Sequence, residues 1–215
     1  MRSKNLVIIM LLSLGYLFSN AQEIRKGNKL INLGLGLGPF HYSNHYKTVT
    51  PPVSASFEYI VKDDLFNGKG ALGVGAFIGN SVRKSEFYRT SSTYAGAYLH
   101  NKGANINSNT DTYGWKYGTT FIGPRGYIHY KPINKLDTYG GIIIGYMLQT
   151  NKYFGDPFYG INNQTSYPNY YPESIKKIHG TVFLGARYFF TEKIAGMIEL
   201  GSGISRLTLG VSVKL

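Results

Sequence analysis

The chain contains no cysteine, which removes disulfides, thiolate metal sites and a lipoprotein-type acyl anchor at once. It also lacks any apolar run long enough for a membrane helix. The longest, Leu6 to Phe18, has 13 residues, whereas a helix crossing hydrocarbon needs about 20. Acidic residues are scarce, 11 against 23 Lys and Arg, for a formal charge of +12. The short run has a different meaning. Arg2 and Lys4 precede it, and Ser19-Asn20-Ala21 follows with small residues three and one positions before Gln22. That order is a secretory signal peptide, cleaved after Ala21. Cleavage leaves 194 of 215 residues, enough for one domain, and lowers the charge to +10 by removing Arg2 and Lys4.

What is abundant points in one direction. There are 19 Tyr, 12 Phe and 27 Gly, yet mean hydropathy is near neutral. Residues 207–215 alternate strictly: Leu207, Leu209, Val211, Val213 and Leu215 fall on one face, Thr208, Gly210, Ser212 and Lys214 on the other. A strand sorts residues this way and a helix scatters them. The same period recurs through Ile194–Ser205, His179–Phe190, Leu136–Gln149, Trp115–Tyr130, and the stretches 72–79, 53–61 and 32–38. In Leu136–Gln149 the run is too apolar for its faces to be assigned. The count is eight strands.

Connection lengths alternate too. Lys62–Gly70, Lys131–Lys135 and Thr191–Lys193 are short and carry turn residues such as Asp63-Asp64, Asn67-Gly68 and Pro132. Pro39–Pro52, Asn80–Gly114 and Thr150–Lys176 are long, and only the last connection, near Gly203, is tight. Short turns on one side and long loops on the other are the habit of an outer-membrane barrel with both termini in the periplasm. The expectation is an all-β, eight-stranded antiparallel up-and-down transmembrane barrel over residues 22–215. Glu58, Arg125, Arg187, Glu199 and Lys214 lie opposite the apolar rows, so they are expected to pair inside a narrow lumen. A soluble lipocalin-like or sandwich fold would share the periodicity but place the apolar rows inside.

The segments FIGPRGYIHY (121–130), DTYGGIIIGY (137–146), LGARYFFTEKIAGMIELGSG (184–203) and LTLGVSVKL (207–215) resemble the small outer-membrane β-barrel family that includes the OmpA transmembrane domain and porin-like opacity proteins. The likeness rests on Arg187-Tyr188, Glu199 and Gly201-Ser202-Gly203 before a last strand with an apolar end. It departs from that pattern at Leu215, where Phe is more usual. The resemblance implies a bacterial outer-membrane location and insertion by the barrel-assembly machinery. It is nearly silent on activity, because the family hosts anchors, adhesins and pores.

Chemistry is thinly marked. His41 and His45 are four apart, but Pro39 argues against the helix that would make this a chelating pair. His100 and His179 fall near rim positions, where a lipid A-modifying enzyme would carry a Ser-His pair, yet no motif ties a serine to either. The GLGLG run at 34–38 lies in a strand with no helix behind it, so it is no nucleotide loop. No catalytic residue, metal or cofactor is assigned, and an exported barrel excludes nucleic acid as a partner. The expected partners are outer-membrane lipids and lipopolysaccharide, with the protein a monomer. Arg83, Lys84 and Arg89 in the longest loop suit anionic headgroups. Tyr159, Tyr170 and Tyr171 in the third suit glycan or protein contact. The primary reading is a non-enzymatic anchor with contact loops, and a lipid A-modifying enzyme and a narrow porin-like channel are the alternatives. Mass spectrometry of the protein from an exporting host checks the first step: the chain should begin at Gln22, and retention of residues 1–21 would contradict the signal.

Overall fold

A computed structural model of the chain describes residues 24–39, 47–92, 108–155, 158–159, 165–166, 174–201 and 203–215. The signal peptide, His41, His45, His100, Tyr170 and Tyr171 lie outside these residues.

Alternation becomes strand wherever the sequence keeps period two. The strands are β1 (Lys29–Pro39), β2 (Lys47–Leu65), β3 (Gly70–Ser92), β4 (Ser108–Ile133), β5 (Leu136–Phe154), β8 (Ile175–Phe189), β9 (Ile194–Leu200) and β10 (Ser205–Lys214). Two short pieces, β6 (Phe158–Tyr159) and β7 (Thr165–Ser166), pair with each other apart from the main sheet. Among the described residues the eight long strands form one closed antiparallel barrel, each next to its neighbour in the chain. The ring shuts where β1 meets β10, from Leu30 opposite Lys214 to Leu37 opposite Leu207.

The turns at one end are tight and pass through left-handed backbone. Asp64, Phe66 and Asn67 have positive φ, as does Gly68, and Lys135 does so between β4 and β5. The wall rises unevenly above them. A strand of about 9–11 residues spans a bilayer, whereas β3 has 23 residues and β4 has 26. Arg83, Lys84 and Arg89 were expected in a loop, but all three sit on β3. The hairpin simply continues, with Ser92 opposite Ser108. Tyr159 likewise falls in a short strand, β6. Opposite this tall side the wall is low, since β9 stops at Leu200 and β10 starts at Ser205.

Two local features fit the sheet to its contents. Pro124 has no N–H, and the β4–β5 ladder skips from Ile122–Tyr146 to Arg125–Ile143 around it. At the low side, Ile204 folds in and is buried with Phe77 and Phe121. A Cβ at Gly79 would collide with the Ile204 side chain, so glycine makes the seat for that residue. Substituting Gly79→Val should expel Ile204 and cost about 1–3 kcal/mol. Urea unfolding in detergent micelles reads this, and an unchanged midpoint would show that Ile204 needs no seat.

Candidate functional site

The inward faces build a filled lumen in layers. At the turn end, Leu30, Ile60, Ala71, Phe189 and Ala195 form an apolar floor with Ile24 packed against it. At the loop end, Phe77, Phe121, Ile143, Met147, Phe183 and Ile204 form an apolar cluster. Charges and hydroxyls lie between. Asn32 donates to Ser56 at 2.9 Å and accepts from Ser212, while the Tyr127 hydroxyl donates to Ser56 at 3.3 Å.

Arg187 and Glu58, contributed by β8 and β2, are both fully buried and meet at 2.6 Å. The other arm of the guanidinium reaches Asp137 at 3.2 Å. His129 lies between the same two carboxylates: Nδ1 is 3.0 Å from Asp137, and Nε2 is 2.6 Å from Glu58. The second approach is an ion contact without hydrogen-bond alignment. Arg125 pairs with Glu199 at 2.5 Å, and Tyr139 donates to the same Glu199 oxygen at 3.2 Å. Both ring nitrogens of His129 face carboxylate oxygens. With a proton on each, three cations meet three carboxylates and this part of the lumen is neutral. Such pairing is what makes buried charge tolerable.

Aromatic faces complete the solvation. The Arg125 guanidinium lies 3.5 Å from the Phe183 ring centroid and 4.7 Å from that of Tyr127. Arg187 lies 4.1 Å from that of Tyr139. Cation–π attraction is strongest where water is excluded. Of the five charged residues read from the sequence, the structure joins Glu58 to Arg187 and Arg125 to Glu199. Lys214 is buried on the same inward face, its ammonium 5.6 Å from the Phe189 ring. Asp137 and Tyr139 were missed because β5 had no assignable face. The sequence does carry a signal for them: Asp137, Tyr139, Gly141 and Ile143 follow one another at every second residue on one side of the strand. His129 shares the inward face of β4 with Arg125, four residues away.

A cavity of about 220 Å³ opens at the turn end, between Ile24-Arg25, Asp63-Asp64 and Lys131, and reaches His129 and Asp137. At the opposite end, Lys84 points outward, bound to Glu86 at 2.5 Å and lying 4.1 Å from the Phe154 ring centroid. Arg83 shares the inward face with buried Ser81 and Ser85, and Arg89 stands opposite Asp111 in the ladder. Phe87 stacks on Tyr113, and Trp115 meets Tyr153 edge-on. His179 stands edge-on to Phe121, 5.7 Å between centroids.

Fold and interior thus define a class: a closed eight-stranded barrel, charged and filled within and apolar without. No protein-family model matches the sequence and no curated protein does. Among solved structures, it is similar to Ail, the attachment invasion locus protein of Yersinia pestis. Against Ail in complex with the heparin analogue sucrose octasulfate, identity is 12% and the TM-score 0.40. Against Ail alone, identity is 11% and the TM-score 0.33. Each alignment covers 88% of this chain and 95% of the other. Likeness this loose decides nothing further, and the functional reading rests on the barrel's own chemistry.

Arg187 is the hinge of the interior. Replacing it with Ala leaves Glu58 and Asp137 buried against one histidine, and should cost about 3–5 kcal/mol. Urea unfolding in micelles measures this, and a loss under about 1 kcal/mol would mean that the carboxylates have another source of solvation.

Proposed function

We propose that the chain is an integral outer-membrane protein of a bacterium, a non-enzymatic anchor whose long-connection end contacts lipopolysaccharide or external ligands. One observation carries this reading: the barrel is inverted relative to a soluble protein. Val182 and Leu184 are 71% and 68% exposed, while the neighbouring Arg187 and its partner Glu58 are 0% exposed. The outward rows continue through Leu33, Ile78, Ile128 and Ile142 on strands all around the ring. Soluble monomers rarely expose contiguous apolar patches beyond a few hundred Å². A lipid coat removes the penalty, and closure satisfies the backbone without water.

Aromatics mark where such a coat would end. Near the turns, Phe57, Tyr59, Tyr130, Tyr188 and Phe190 face outward, as interfacial girdles do. Export through a signal peptide cleaved after Ala21, insertion by the barrel-assembly machinery and a monomeric state complete the proposal. The apolar clusters at both ends of the lumen favour an anchor over a channel, because an eight-stranded interior is just wide enough for side chains. Within this reading Arg83, Lys84, Arg89, Tyr159, Tyr170 and Tyr171 stay the contact candidates.

Membranes from an expressing host provide the test. The protein should stay with the outer-membrane pellet through carbonate extraction and migrate faster on a gel when unboiled than when boiled. Release into the carbonate supernatant would overturn the membrane reading.

A further inference from the structure

We propose that Lys116 and Lys152 form a binding site for a phosphate group on the headgroup of an outer-leaflet glycolipid. This rests on the outer-membrane reading above and goes beyond it by assigning the residues and the ligand group.

The strand register makes the site. Lys47 stands opposite Lys84, Lys84 opposite Lys116, and Lys116 opposite Lys152. Four consecutive strands therefore bring lysine to a single hydrogen-bonded row, with neighbours about 5 Å apart. Like charges directly opposite one another destabilise a sheet, so such a row needs a counter-charge. Lys84 has one in Glu86. Lys116 and Lys152 are exposed, and among the described residues no carboxylate pairs with either. Two exposed lysines opposite one another in the ladder, with no carboxylate partner among the described residues, are a place for an external anion. The Thr150 hydroxyl lies on the same outward face, next to Gly118, where a Cβ would meet its Oγ1. It offers a hydroxyl donor on the membrane side of the pair.

Height selects the ligand. On β5 the outward row runs Ile142, Ile144, Tyr146, Leu148, Thr150, Lys152. The apolar part ends at Leu148, and Lys152 lies four residues further. At about 3.3 Å per residue and a tilt near 40°, that is about 10 Å beyond the apolar band. Headgroups occupy this level. A phosphate carried on a lipid is held there already, so binding it costs less freedom than capturing an ion from solution.

Purified full-length protein in detergent micelles should bind phosphorylated lipid A at least about tenfold tighter than the same lipid A with its phosphates removed. Lys116→Gln/Lys152→Gln should abolish that preference, while Lys69→Gln/Lys131→Gln, at the opposite end, should keep it. Equal affinity for the two lipids, or a K116Q/K152Q variant that keeps the preference, overturns the site. Competition by millimolar inorganic phosphate would replace the lipid with a free anion and overturn the assignment of ligand. Heat-modifiable migration of the same samples separates the membrane barrel from the lysine site. A barrel that shifts on heating but shows no phosphate preference defeats this inference and leaves the membrane reading standing. Should the double variant not fold, salt decides: a wild-type preference that does not weaken as salt rises overturns the site.

Discussion

When Leu30 pairs with Lys214 and Leu37 with Leu207, the sheet loses both its edges, and almost every other feature is a consequence. An open sheet presents a row of unpaired N–H and C=O groups that only water or another chain can satisfy. A closed one needs neither, so its outside is free to be apolar throughout. Closure with eight strands also fixes the bore at about the width of side chains. The inward residues therefore have to solvate each other, and what they carry is charge.

The buried charges set the demands on their neighbours. Glu58, Asp137 and Glu199 come from β2, β5 and β9, and the cations that meet them come from β4 and β8. Most of these contacts tie together strands distant in the sequence, as Arg187 and Glu58 do across 129 residues, whereas His129 and Asp137 meet within one hairpin. Removing two charges from water costs several kcal/mol per ion even after relaxation. The arrangement holds because carboxylates, guanidinium groups and aromatic faces all meet at once. Phe183 and Tyr139, lying against Arg125 and Arg187, act as lumen solvent as much as apolar filler.

The barrel could be read from sequence because one wet or charged face and one apolar face leave period two in the residues. Leu207 to Leu215 shows it without exception, and Val182 to Phe190 nearly so. The reading failed where that contrast vanishes. In β5 the run Ile142-Ile143-Ile144 is apolar on both faces, since Ile143 joins the inner cluster while its neighbours point out. Asp137 and Tyr139 were lost with it. Above the apolar band the contrast fails the other way, because both faces are polar. Arg83, Lys84 and Arg89 consequently looked like loop although they continue β3. The lysine row is a product of register across four strands, and no local window of sequence contains it.

The absence of cysteine makes the central claim directly accessible, since each introduced cysteine carries a single label. Spin labels at Ile142, Val182 and Leu184, in protein reconstituted into bilayers, should collide freely with lipid-soluble oxygen and scarcely with a water-soluble nickel chelate. The opposite order at these three positions, nickel over oxygen, would mean that the apolar face meets water and that the barrel does not stand in a membrane.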